Sequence, residues 1–186
     1  MTTIAGIQGK GFAVIGYDSR VSGENGRIYV LPKDTGKVVR NGNYLLGAAG
    51  DLRAINLLGD IKLPDPGELV GKKLDKFFST QVVPRIREEF EKHGYGRDGS
   101  QSSDILVCIS GIIYEIAENY DWSRDATGIY GVGSGSDYAV GALHALVDGE
   151  ITIEDAKLWM KDAMKIALRL DSGSGDPVSI VVQKNS

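Results

Sequence analysis

Three pairs of short apolar runs, each pair joined by a tight turn, constrain this chain more than any other feature. Residues 3–8 and 12–18 flank Gly9-Lys10-Gly11, residues 37–40 and 44–48 flank Asn41-Gly42-Asn43, and residues 104–110 and 112–118 meet at Ser110-Gly111. Such turns accept the positive φ that two-residue connections demand, so each pair reads as a β-hairpin. Residues 127–132 and 178–183 supply two further strands. The stretch 19–36 between the first two hairpins, rich in Gly and charge, reads as a loop.

Helical patterns fall between the hairpins. DLRAINLLGDI at 51–61 has apolar residues at 52, 55, 57 and 58. Residues 68–92 keep Leu69, Leu74, Phe77, Phe78, Val82, Ile86 and Phe90 three or four apart, with Pro84 expected to kink or restart the helix. A helix over 137–147 follows, with Ser136 as N-cap and Gly149 beyond its end. Thr152 opens the last helix through a capping box with Asp155, and Ala156, Trp159, Met160, Ala163, Met164, Ala167 and Leu170 make its apolar face. Antiparallel hairpins separated by two helix pairs predict an α+β protein with sheets face to face and helices outside. No repeat or linker divides the chain, so residues 1–186 are expected to form one domain.

Composition removes several functions. Charged residues balance at −4 with no basic stripe, which argues against nucleic acid as a partner. No apolar run reaches the roughly 18 residues of a membrane span, and the start lacks a signal-peptide pattern. A cytoplasmic protein is expected. The single cysteine, Cys108, lies in an apolar run and reads as a buried, inert thiol. His93 and His144 are the only histidines; with Cys108 they match no zinc pattern and leave no Ser-His-Asp order. GVGSGSDYAVGAL at 131–143 departs from both G-x-G-x-x-G and G-x-S-x-G. Trp159, Met160 and Met164 read as core. No cofactor or metal is called for.

One chemistry stays open at the start, MTTIAGI. With Met1 removed, Thr2 carries a hydroxyl and an α-amine on one residue. An amine of pKa near 8 can take the hydroxyl proton, directly or through a water, and activate the oxygen for acyl transfer.

Three blocks give this start a context. They are TTIAGIQGKGFAVIGYDSRVSGENG at 2–26, LLGAAGDLRAINLL at 45–58, and the pair GVGSGSDYAVGALHAL at 131–146 with ALRLDSGSGDPVSIVV at 167–182. In this order the chain resembles the proteasome β-subunit and HslV family of N-terminal nucleophile hydrolases. The resemblance implies a four-layer αββα sandwich and a threonine peptidase. Thr2 would be the nucleophile, and Asp18, in a D-x-R pattern, would orient a lysine. That lysine is Lys37, with Lys33 as the competing choice because the loop length departs from the family. Ser134, Asp171 and Ser174 would surround the Thr2 amine. The backbone N–H of Gly47 would face the oxyanion, and Val21, Leu45 and Ala49 would line an apolar substrate pocket. Family membership further implies self-association into stacked rings, a partner ATPase unfoldase, and peptides or unfolded chains as substrate. Two alternatives stand beside it: a silent structural homologue that retains Met1, and a small-molecule amidase on the same fold.

Overall fold

The computed structural model describes residues 1–23, 26–96 and 99–185. Strands β1 (Ile4–Gly9) and β2 (Phe12–Asp18) form the first hairpin, with Gly11 at φ 77° in its turn. β3 (Arg20–Ser22) and β4 (Ile28–Val30) pair as a separate ribbon inside the stretch expected to be loop. Val21 faces Tyr29 there, and Ile28, Tyr29 and Val30 are all exposed, so no buried face announced these strands. A 3₁₀ turn (Lys33–Thr35) leads to β5 (Val38–Asn41) and β6 (Tyr44–Gly50).

Asp51 caps α1 (Leu52–Asp60) by accepting from the Arg53 N–H. The long helix begins later than its apolar pattern suggested, as α2 (Gly71–Phe77), because residues 68–70 are outside it. A π-helical turn over Phe78–Val82 then passes into α3 (Val83–Lys92). Pro84 stands in the first turn of α3, where its missing N–H costs nothing, so the helix restarts there.

β7 (Ser103–Ile109) and β8 (Ile112–Ile116) form the third hairpin, and a two-residue β9 (Trp122–Ser123) adds an edge. β10 (Ile129–Val132) runs into α4 (Ser136–Leu146), whose N-cap is Gly135; Ser136 is the first helical residue rather than the cap. α5 (Ile153–Leu170) carries the expected Thr152 cap, and β11 (Val178–Lys184) closes the chain. No helix among the described residues is long and apolar enough to cross a membrane.

Two antiparallel sheets result, in the order β10-β1-β2-β11 and β5-β6-β7-β8-β9. Strand alternation sorts side chains into three layers of core. Ile4, Ala13, Ile15, Tyr17, Leu45, Leu106, Cys108 and Ile113 meet between the sheets. Ala5, Ile7 and Val14 pack against Met160, Ala163 and Met164 of α5. Leu46, Val107, Tyr114 and Ile116 pack beneath Leu58, Phe78, Ile86 and Phe90 of α1 to α3 and the π-turn. The layers are helix, sheet, sheet, helix, as an αββα sandwich requires. Cys108 is fully buried, and burial pushes its thiol far up, which keeps it unreactive.

Candidate active site

The site forms where the first residues of the chain leave β1 and cross the C-terminal end of β10. Gly133 and Gly135 are what let them dock. Gly133 has φ +93°, and a Cβ there would stand 2.3 Å from the Thr2 carbonyl oxygen. A Cβ on Gly135 would stand 2.0 Å from Thr3 Oγ1. Backbone meets backbone only because both side chains are missing. The Gly135 N–H donates to the Thr2 carbonyl at 3.3 Å, and the Asp18 N–H to the Thr3 carbonyl at 3.1 Å.

Asp18 ends β2 and is paired with Val178 of β11. Its carboxylate is completely buried and accepts four hydrogen bonds. Lys37 Nζ (2.7 Å) and the Thr3 N–H (2.9 Å) reach Oδ1; the Arg20 N–H (3.1 Å) and Gly175 N–H (3.0 Å) reach Oδ2. Lys37, just ahead of β5, is 1 % exposed, and its Nζ also donates to the Met1 carbonyl at 3.2 Å. Burial pulls the Lys37 pKa down, against the charge and hydrogen bond of Asp18 and the charge of Asp171, which hold it up. Of the two candidate lysines, Lys37 is the one against Asp18; Lys33 is an exposed residue of the 3₁₀ turn.

Asp171 caps the C-terminal end of α5 and collects the second set of contacts. Ser134 Oγ donates to its Oδ2 at 2.8 Å, Ser174 Oγ donates to the same oxygen at 2.6 Å, and the Gly173 N–H donates to Oδ1 at 3.2 Å. Each serine has one proton, and both are spent on Asp171. Ser134 Oγ therefore accepts from the Thr2 N–H at 3.4 Å, and Ser174 Oγ accepts from the Thr3 hydroxyl at 2.6 Å. The wiring runs from the chain start through two serines into one carboxylate. Burial works against the Asp171 charge, but Ser174, Ser134, the Gly173 N–H and the terminal ammonium together hold its pKa below the ordinary value. Thr2 is itself buried, and its hydroxyl has no hydrogen-bond partner among the described residues.

Not every expected residue joins this centre in the expected way. Gly47 lies inside β6, opposite Val38 and Leu106. The Ala48 N–H donates to the Lys37 carbonyl across the hairpin, so strand alternation turns the Gly47 N–H the other way, toward β7. An oxyanion contact from that amide would require it to leave the ladder. Leu45 and Ala49 are buried in the core between the sheets, while half-buried Val21 sits on the ribbon. Ala49 does adjoin the site, 3.1 Å from where a Gly133 Cβ would stand. Surface cavities of about 100 to 560 Å³ are lined by other residues.

Sequence reasoning passed over Thr3, Gly133, Gly135 and Arg20, all of which shape the centre. Thr3 stood beside the expected nucleophile with nothing to distinguish it. Arg20 was visible as the basic residue of the D-x-R pattern, without a role.

Comparison with known proteins bears on the fold first. Among solved structures, the chain is similar to Thiobacillus denitrificans BPH, at 20 % identity and a TM-score of 0.75, covering 99 % of this chain and 98 % of that one. It is also similar to BPH in complex with epoxomicin, at 21 % identity and a TM-score of 0.71, covering 99 % of each chain. The eukaryotic HslV of Trypanosoma brucei matches at 22 % identity and a TM-score of 0.68, covering 98 % of this chain and 99 % of that one. Proteasome subunit beta 1 of Hyperthermus butylicus is 23 % identical over 193 aligned positions, covering 97 % of this chain and 87 % of that protein. No family model matches.

Proposed function

We propose that this chain, which has the fold of proteasome β-type and HslV proteins and resembles them in sequence, is a threonine-type endopeptidase subunit with Thr2 as nucleophile once Met1 is removed. One observation carries the reading. Asp18, Lys37, Ser134, Asp171 and Ser174 come from four separate stretches of chain and converge on Thr2 and Thr3. A merely structural N-terminus has no need of a buried ion pair on one side and a wired carboxylate on the other.

In the reaction, the freed Thr2 amine takes the place now held by its peptide N–H, within reach of Ser134 Oγ and Asp171. It accepts the hydroxyl proton as Thr2 Oγ attacks the peptide carbonyl, then returns it to the leaving amine. The Lys37 ammonium, oriented by Asp18, favours the alkoxide form of Thr2. Water completes the cycle by hydrolysing the ester. Apolar Ala49 beside Gly133 suits an apolar residue ahead of the cleaved bond, and the resemblance adds Val21 and Leu45 to that pocket. The resemblance extends the proposal to a cytoplasmic, ring-forming assembly that receives peptides or chains unfolded by an ATPase.

A second reading has an observation of its own. The Met1 carbonyl accepts from Lys37 Nζ, and its side chain covers Gly173, where a Cβ would stand 2.2 Å from Met1 Cβ. A retained Met1 therefore occupies the centre and leaves a silent homologue. N-terminal mass spectrometry, with peptide hydrolysis by wild type and Thr2→Ala, separates the two. The peptidase reading expects Thr2 as first residue and a loss of at least ~10³-fold in kcat for Thr2→Ala. Full retention of Met1, or undiminished hydrolysis by Thr2→Ala, overturns it.

A further inference from the structure

Arg20 is a half-buried cation in an uncommon setting. Its guanidinium forms no ion pair among the described residues. Its Nη1 instead donates to two carbonyls of one loop, that of Ser172 at 3.1 Å and that of Ser174 at 3.2 Å. Its aliphatic stem lies on the same loop, because a Cβ on Gly175 would stand 2.9 Å from Arg20 Cδ. Its own N–H is tied to Asp18 Oδ2, which also receives the Gly175 N–H. The side chain of Arg20 thus grips segment 171–175 directly, while its backbone N–H shares Asp18 Oδ2 with the Gly175 N–H of that segment.

That segment carries Asp171, the Gly173 N–H and Ser174, so its place decides whether the carboxylate can collect both serine hydroxyls. Those hydrogen bonds are 2.6 to 2.8 Å long, and a shift of 1 Å breaks them. The loop is also held by the Ser19 N–H on the Gly175 carbonyl at 3.3 Å, by the Gly175 N–H on Asp18 and by Thr3 on Ser174, whereas Arg20 reaches the carbonyls of Ser172 and Ser174. The loop follows the end of α5, contains two glycines, and precedes β11, whose pairing with β2 starts only at Val178. We infer that Arg20 is a positioning residue, which clamps the 171–175 loop through the Ser172 and Ser174 carbonyls and so sets the Asp171–Ser174 arm of the catalytic network. The inference rests on the threonine-peptidase reading for its kinetic consequence, and on geometry alone for its structural one.

Arg20→Ala and Arg20→Lys test it. Kinetics are measured per active site, counted by mass spectrometry after covalent labelling of Thr2. Arg20→Ala is expected to lower kcat by about 10- to 100-fold, as angstrom-scale misplacement does, with KM within about twofold of wild type. Arg20→Lys, whose ammonium can still donate to carbonyls, is expected to recover at least half of that loss on a logarithmic scale. Native-state hydrogen exchange gives a readout that needs no activity. The Gly173, Ser174 and Gly175 amides should exchange at least about tenfold faster in Arg20→Ala, while those of β11 stay unchanged. If Arg20→Ala does not fold, Arg20→Gln, which keeps an NH₂ donor on a shorter stem, is read by the same two criteria. Wild-type kcat per labelled site with unchanged loop exchange overturns the inference. Hydrolysis that survives Thr2→Ala overturns the peptidase reading instead, and the exchange result then still decides whether Arg20 clamps the loop.

Discussion

Asp18→Asn is the most informative single substitution for the buried pair. The carboxylate is fully buried and accepts four N–H groups, two on each oxygen. Asparagine keeps one oxygen and turns the other into a donor. Either orientation of the amide sets that donor against two others. In one orientation Lys37, 1 % exposed, is left with the Met1 carbonyl as its remaining acceptor, and in both it loses the opposite charge. Removing one partner of a buried pair costs about 3–5 kcal/mol. Lys37 can escape part of that by losing its proton, since burial already pulls its pKa down, so the lower end, about 3 kcal/mol, is expected at neutral pH. For a domain of this size each kcal/mol shifts Tm by roughly 2–4 °C, which gives roughly 6–12 °C. Urea and thermal melts measure it. The sign with pH follows from linkage. In the variant the folded Lys37 pKa lies below its unfolded value, so the unfolded state binds more protons as pH rises between them. The deficit should shrink as pH rises through that window, below the ordinary lysine value. Asp18→Asn combined with Lys37→Met removes the stranded charge and should be more stable than Asp18→Asn alone. A single variant within about 1 kcal/mol of wild type, or a double variant no better than the single, would refute the reasoning.

Two glycine substitutions should move in opposite directions. Gly133→Ala forces a Cβ to 2.3 Å from the Thr2 carbonyl at φ +93° and should cost about 2–4 kcal/mol and displace the N-terminus. Gly141→Ala in α4, with nothing within 4 Å, should stabilise by about 0.5–1 kcal/mol; urea midpoints check both. In acid, the Asp171 contribution to stability is present above its unfolded pKa and lost as pH falls through its lower folded value. Asp171→Asn should therefore flatten the fall in stability below about pH 4, and an unchanged slope would speak against the serine–carboxylate wiring. The alkaline limb of kcat should have its midpoint below the 10.5 of a free lysine, because Lys37 titrates early; a limb at or above that value would separate the limb from Lys37.

How much of this was legible in the sequence depends on what each part relies on. The three hairpins were readable because Gly11, Gly42 and Gly111, at positive φ, sit in their turns. The β3–β4 ribbon was not, since Ile28–Val30 have no buried face to alternate against. The start of α2 was placed early because Leu69 continues the apolar spacing while lying outside the helix. At the site, Thr2, Asp18, Lys37, Ser134, Asp171 and Ser174 were reached only through their order in a family pattern; no local spacing brings them together. The orientation of the Gly47 N–H depends on hairpin register, fixed by a two-residue turn. The Arg20 guanidinium binds carbonyls, and Thr3 binds Asp18 through its own N–H; a partner that is a carbonyl or an N–H leaves no mark in a sequence.

The Thr3–Ser174 contact joins residues 171 positions apart. Thr2 emerges from the ribosome before Asp171, Ser174 and β11. A nascent or truncated chain therefore carries the hydroxyl but neither the carboxylate nor the strand that hold it in place. On the proposed threonine-peptidase reading, synthesis through β11 becomes the condition for a working centre, and a chain that stops before it is one that would not cut.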